Sequence, residues 1–434
     1  MIASQQVQDL LDFIDASPSP WHAVATIEQR LQAFQFQRLN ESDAWCLNPG
    51  GRYYVVRDDS SIAAFVVGRQ DLAETGFKIL GAHTDSPGLR VKPQPVLESD
   101  QLLRLAVEVY GGPILATFTD RDLSLAGRIA YLDDDGTIAS RLLRFDEALL
   151  RLPNLAIHMN RGVNEDGLKL HKQNELAPIF ASSVEQQLPS DRLRQLLEHQ
   201  SGIVADRILS WELNVYDTQK GVFWGEEQQF YADSQLDNLA SCHASLSALL
   251  AEKSLNSDST LVCAFFDHEE IGSESCKGAA GSFLPDVLER IAQGVCHQPD
   301  QYRRVLANSF MISADMAHAY QPNFPTAYEP NHKILVNHGP VIKLNVNHRY
   351  ASECISEAMF MRICQQADVP YQKYAHRGDL PCGSTIGPIA SAKLGIRSVD
   401  VGSPMWAMHS LRESAGVADH LFMIQALRGF FGNH

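Results

Sequence analysis

Phe265-Phe266-Asp267-His268-Glu269-Glu270-Ile271-Gly272-Ser273 is the stretch on which the fold turns. The apolar run Leu261–Phe266 gives way at once to four polar or ionisable residues, and a glycine follows shortly after. A short run rich in Val, Cys and Phe, bounded in this way, predicts a buried strand. Open α/β sheets hold ligands beyond the carboxyl ends of their strands, and that is where the two glutamates fall. Alternation along a strand would splay Glu269 and Glu270 apart, one toward a metal and the other toward a substrate. The plainer alternative is a pair of solvated acids on a loop. Partners elsewhere in the chain decide between the two.

On either side of this strand the chain alternates helix and strand patterns. Val7, Leu10, Leu11 and Ile14 lie at helical spacing, and Ser19-Pro20 reads as the start of a second amphipathic helix running to about Phe34. Strand-like runs follow at Tyr53–Val56, Ile62–Val67 and Phe77–Ala82, the last ending in His83-Thr84-Asp85-Ser86-Pro87-Gly88. From about Val91 to Tyr231 the texture becomes β-rich, with strand patterns at Leu102–Tyr110, Leu123–Tyr131, Leu155–Met159 and Ile208–Asp217 and one helical pattern near Asp191–His199. After Asp233 the alternation resumes, with helices at about 237–252, 283–293 and 351–367 and strands at 310–314, about 334–346 and Ser398–Gly402. A C-terminal helix is expected from about Glu413. The expectation is an α/β catalytic domain in two parts, residues 1–92 and 233–434, interrupted by a β-rich insert at 93–232.

Composition bounds the function. The chain has 434 residues, 45% of them apolar and 20% charged, which suits a large globular core. A formal net charge of −16 argues against a nucleic-acid or anionic-membrane partner. The eight cysteines are scattered without a Cys-x-x-Cys pair, predicting free, mostly buried thiols in a reducing compartment. Asp9, Asp12 and Asp15 interrupt the N-terminal apolar pattern, and no apolar run approaches the roughly 20 residues of a membrane span. A soluble cytoplasmic protein is expected. There is no Gly-x-Gly-x-x-Gly or Walker loop, and Gly383-Ser384-Thr385-Ile386-Gly387 lacks the spacing of a nucleophile elbow.

Four further polar sites stand where strands end: His83, Asp237, Asp315 and His409. Singly, each has a dull reading. Asp237 could simply cap the helix that follows it, His83 and His409 could be structural histidines, and Asp315 could pair with His318. Together with the glutamate pair they supply the imidazole and carboxylate inventory of a two-metal hydrolase.

Several motifs then make the chain recognisable: Gly81-Ala82-His83-Thr84-Asp85-Ser86-Pro87-Gly88, Ser234-Gln235-Leu236-Asp237-Asn238-Leu239, Asp267-His268-Glu269-Glu270-Ile271-Gly272-Ser273, Ser313-Ala314-Asp315-Met316-Ala317-His318, Pro381-Cys382-Gly383-Ser384-Thr385-Ile386-Gly387-Pro388 and Met408-His409-Ser410. In this order and spacing they resemble the M18 metallo-aminopeptidases, the aspartyl aminopeptidase family, over essentially the whole chain. The resemblance implies an α/β/α sandwich catalytic domain of the di-zinc aminopeptidase type with an inserted β-rich dimerisation and assembly domain. It implies two Zn²⁺ per subunit, replaceable by Mn²⁺ or Co²⁺: Asp237 bridges them, His83 and Asp315 complete one site, and Glu270 and His409 complete the other. Glu269 would be the general base for a metal-bridging water, and Asp85 would orient the His83 imidazole.

Substrate contacts carry over to His158, His318, Lys343 and Tyr350. The substrates implied are peptides with a free N-terminus, with Asp or Glu preferred. A lysine is awkward in the strand-like Val341-Ile342-Lys343-Leu344, and its other reading is a guard on an edge strand. A local cation could offset the global negative charge, because salt screens distant charges beyond about 8 Å. His158 would be an ordinary strand residue on its own. In the family it reaches the neighbouring subunit's active site, which implies a homo-oligomer, a dodecamer built from dimers. A metal-bound scaffold or cargo protein with little peptidase activity is the competing reading, and the intact Glu269 weighs against it.

Overall fold

In the computed structural model, which describes residues 2–183, 188–296 and 300–432, the strand Thr260–Phe266 is buried at every position. Its side chains divide by alternation. Leu261, Cys263 and Phe265 enter one apolar cluster, while Val262, Ala264 and Phe266 enter another. Both faces of the sheet are therefore covered, as a near-continuous apolar strand requires. On the first face pack the helices Ile2–Asp15, Pro20–Ala33, Leu236–Leu249, Cys354–Gln366 and Val417–Gly432. On the second pack Phe283–Val295, Gln301–Asn308 and Ile386–Leu394. Each fully buried phenylalanine here contributes about 1.5–3 kcal/mol.

This sheet has nine strands in the order Gln37–Leu39, Arg52–Arg57, Ser61–Val66, Thr260–Phe266, Phe77–His83, Phe310–Ala314, Arg397–Gly402, Val341–Leu344 and Gln372–Ala375. Thr260–Phe266, Phe77–His83, Phe310–Ala314 and Arg397–Gly402 run parallel, so their carboxyl ends share one edge. His83 stands level with Phe266 across that ladder. A second, five-stranded sheet contains Glu413–Gly416 and the short pair Ala317–His318 and Pro404–Trp406.

The chain divides into two compact units: Met1–Asp85, Gly221–Met408 and Glu413–His434 form the first, and Ser86–Lys220 with His409–Arg412 forms the second. The second is an antiparallel six-stranded sheet around the long partners Leu123–Leu132 and Ile208–Asp217, with the helix Pro189–Ser201 packed into its own core.

Local expectations differ from the structure in four places. Leu155–Met159 is not a strand. It lies in an exposed turn segment, with Met159 76% exposed, because apolar residues do not make a strand without a ladder partner. The C-terminal helix begins at Val417, since Glu413–Gly416 pairs with Phe230–Asp233 instead. The strand expected at about 334–346 contracts to Val341–Leu344, because Asn337 and Gly339 take left-handed backbone and Pro340 follows. The cysteines are all free, but Cys46, Cys276 and Cys354 are exposed and only Cys242, Cys263 and Cys364 are fully buried, so the expectation of mostly buried thiols fails.

One polar cluster joins two buried histidines of the helical layer to the half-exposed Asp9. Asp9 receives Arg30 through both carboxylate oxygens and lies 2.8 Å from His243 Nε2, while His243 Nδ1 lies 2.9 Å from His420 Nε2. Burial pushes both imidazoles below the ordinary value of 6.5, and the His243 contact holds Asp9 well below the usual carboxylate range. Depressed folded values mean that stability is fully present above about 6.5 and is lost as protons bind on acidification. Melting curves from pH 8 to pH 5 should show the midpoint falling below pH 6.5, and a His243→Gln/His420→Gln variant should show a shallower fall. Equal slopes would assign the acid loss elsewhere.

Candidate metal centre

The parallel ladder delivers four of the candidate residues to one edge. His83 ends its strand, Asp315 directly follows Ala314, and Glu269 and Glu270 follow Phe266 after Asp267 and His268. The glutamates do not separate by strand alternation as expected. His268 turns the backbone left-handed, and Glu269–Ile271 forms one 3₁₀ turn. Asp237 arrives from the helix Leu236–Leu249, where Asn238 Nδ2 donates to the Ala314 carbonyl at 2.9 Å and ties the helix start to the strand end. The backbone kinks at Asp237 and Asn238, and Asp237 Oδ1 faces His83 Nε2.

His83 is the hub. Its Nδ1 lies 3.0 Å from the Asp85 carbonyl. A carbonyl only accepts, so Nδ1 carries the proton and Nε2 is the nitrogen turned to the cluster. Nε2 lies 3.4 Å from Asp237 Oδ1, 3.7 Å from Asp315 Oδ1 and 3.9 Å from Glu269 Oε2. His83, Asp237 and Glu270 offer ligand atoms within 4.8 Å of one another, and so do His83, Glu269 and Asp315. Burial opposes charge on this imidazole, yet Glu269, then Asp237, Asp315 and Asp85, hold its pKa well above 6.5. Burial also pushes Glu269 well above the usual carboxylate range, against the pull of His83.

Asp85 stands beside the imidazole, its Oδ1 3.4 Å from His83 Nδ1, and also reaches the glutamate loop. Its carboxylate oxygens accept the backbone N–H groups of Glu269 and Glu270, each at 3.1 Å, while its carbonyl receives the imidazole. Three supporting residues had no local signal in the sequence. Glu413 Oε2 accepts Asp237 N–H at 3.0 Å, Cys242 donates to the His83 carbonyl at 3.0 Å, and Asn238 makes the tie already described. Burial pushes the Cys242 thiol far up, so it is a protonated donor and no thiolate.

Lys343 is interior, not a guard on an edge, because its strand lies between Arg397–Gly402 and Gln372–Ala375. Lys343 is 3% exposed, and its ammonium donates to Met316 O at 3.1 Å, pairs with Asp315 Oδ2 at 3.4 Å and stands 5.1 Å from the Tyr350 ring centre. His318 meets Tyr374 edge-on at 6.0 Å. The segments after Lys343 and Tyr374 line a cavity of about 1030 Å³ containing His348, Arg349, His376 and Cys382, a size suited to a ligand. His158 and His409 belong to the second unit. His158 is exposed, and His409 Nδ1 lies 3.0 Å from the Gly112 carbonyl, which places the ring proton on Nδ1.

The chemistry of this donor set fits divalent metal. Four carboxylates crowd around one imidazole, and Lys343 is the lysine that pairs with one of them among the described residues. Nitrogen and oxygen donors without thiolate suit zinc in a hydrolytic setting.

The chain is similar to known proteins along nearly its whole length. A family model described as aminopeptidase I zinc metalloprotease (M18) matches residues 13–431. A probable M18 family aminopeptidase 2 of Pseudomonas paraeruginosa (strain DSM 24068 / PA7) is 46% identical over 430 residues, covering 98% of each chain. A chain in the cryo-EM structure of the Ape4 and Nbr1 complex superposes with a TM-score of 0.96 at 36% identity, covering 100% of this chain and 86% of that one. The mApe1 dodecamer of S. cerevisiae gives a TM-score of 0.86 at 27% identity, covering 98% and 95%.

Asp85→Asn should loosen the centre, because an amide keeps one acceptor and turns N–H groups toward a backbone N–H. Chelator competition should show zinc held about 10–100-fold more weakly. Unchanged zinc affinity would deny Asp85 this role.

Proposed function

The chain belongs to the M18 family of metallo-aminopeptidases, and on that premise we propose that it removes acidic residues from free peptide N-termini at the cluster around His83. The observation that carries the proposal is the convergence of Asp237, Glu269, Glu270 and Asp315 on one imidazole at the carboxyl edge of the parallel strands.

His83 and Asp315 would hold one zinc, Glu270 and His409 the other, and Asp237 would be shared. Zinc held there supplies Lewis acidity toward the scissile carbonyl and the attacking water. Glu269 takes the proton from that water and hands it to the departing amine. Its place in a 3₁₀ turn whose backbone N–H groups are tied to Asp85 keeps the carboxylate from drifting. Asp85 fixes the tautomer of His83 from behind.

Acidic preference rests on Lys343. Its ammonium has three donors, of which Met316 O and Asp315 account for two. The third would suit an N-terminal Asp or Glu side chain beside the Tyr350 ring. Assembly as a homo-oligomer, a dodecamer by likeness to mApe1, would cover the exposed apolar residues Leu155, Ile157 and Met159 and present His158 to a neighbouring copy.

A scan of aminoacyl anilides tests the reading. Asp and Glu anilides should be hydrolysed, a chelator should abolish turnover, and Zn²⁺, Mn²⁺ or Co²⁺ should restore it. A metal-loaded protein inert toward every anilide would instead be a scaffold. Glu269→Gln should retain metal while losing about 10²–10⁴-fold in kcat; a retained rate removes Glu269 as the base. Lys343→Ala should depress kcat/KM on acidic anilides far more than on Leu or Ala anilides, whereas an equal loss contradicts the specificity assignment.

A further inference from the structure

The loop that bears Glu269 and Glu270 is fastened at its base by residues outside the metal centre. Lys277 is 4% exposed and Asp267 is fully buried. The Lys277 ammonium lies 2.9 Å from Asp58 Oδ2 and 3.2 Å from Asp267 Oδ2, the latter a charge contact without hydrogen-bond geometry. The same ammonium stands 5.8 Å from the centre of the buried Trp21 ring. Ser61 joins both ends of the loop through one hydroxyl: it donates to the Lys277 carbonyl at 2.9 Å and accepts Asp267 N–H at 2.9 Å.

Between these ends the loop is tightly folded. Ser273 N–H donates to the His268 carbonyl, Ala280 N–H donates to the Ser273 carbonyl, and Ser275 Oγ meets both His268 Nδ1 and Gly278 N–H. A Cβ at Gly278 would come within 2.2 Å of the Ser273 carbonyl, so the two limbs touch backbone to backbone. The glutamates are therefore gripped twice. Asp85 takes their N–H groups on one side, and Lys277 and Ser61 hold Asp267, two residues before Glu269, on the other.

We propose that Lys277 is a positioning residue for Glu269 and Glu270: by closing the base of their loop onto Asp267 and Asp58, it fixes where both carboxylates sit relative to His83. The inference rests on the metallo-aminopeptidase reading and extends it to a residue that touches neither substrate nor metal ligand. With Lys277 gone, His268 Nε2, 3.5 Å from the same Asp267 oxygen, is left to face it. A buried carboxylate that loses its cation shifts toward water or another partner, and Glu269, two residues on, shifts with it.

The test is Lys277→Met, which keeps length and burial and deletes the charge, assayed as the full-length zinc-loaded protein. Substitutions that release such supporting contacts cost about 10–100-fold. That loss is expected in kcat on Asp anilide with KM unchanged, and in zinc affinity measured by chelator competition without substrate. Lys277→Arg should recover both. Where Lys277→Met melts too early to assay, Asp267→Asn/Lys277→Met removes the unpaired buried charge. It should fold, yet still show low kcat and weak zinc, because the tether is gone. Wild-type kcat and zinc affinity in the folded variants, with only the melting temperature lowered, overturn the proposal and leave Lys277 a stability role. An unmutated protein that binds no zinc and cleaves no anilide defeats the aminopeptidase reading instead, so the two failures are distinguishable.

Discussion

Charge crowding around one buried imidazole is the constraint on which the rest of the first unit depends. His83 is 1% exposed, and carboxylates approach its Nε2 from three segments remote in sequence. Like charges repel strongly in such surroundings, so the arrangement persists only if rigid elements hold each carboxylate in place. The parallel ladder supplies that rigidity for His83 and Asp315, and the tie from Asn238 to Ala314 extends it to Asp237. A sheet covered on both faces cannot shift one strand without opening both apolar clusters.

The glutamate pair is held differently, by hydrogen bonds and charge contacts instead of by a ladder. Asp85, Ser61, Asp267 and Lys277 each touch the loop from outside it or close it at its ends. The 3₁₀ turn fixes the backbone of Glu269 and Glu270.

Lys343 links the carboxylate cluster to the Tyr350 ring. A buried ammonium is costly without partners, and Asp315 and the Met316 carbonyl provide them. The same lysine thus offsets part of the local negative charge and stands beside Tyr350.

Much of this was legible in the sequence, for a physical reason. Apolar runs that stop in polar turns mark strand ends, and His83, Glu269, Glu270 and Asp315 all announce themselves in that way, with Asp237 standing at the start of an apolar helix. Amino-acid type and position along an element are local properties. Contacts across the fold are not. That Glu413 holds Asp237, that the Asp85 carboxylate serves Glu269 and Glu270, and that Lys277 closes the loop onto Asp267 and Asp58 depended on which segments the sheet brings together. Pairing decided secondary structure too: Leu155–Met159 has strand-like residues but no ladder, while Glu413–Gly416 became a strand because Phe230–Asp233 lay beside it. The sequence by itself named the chemistry at each strand end. Only tertiary structure decided which groups hold those ends in place, because hydrogen bonds and ion pairs are made by distance in space, not by order along the chain.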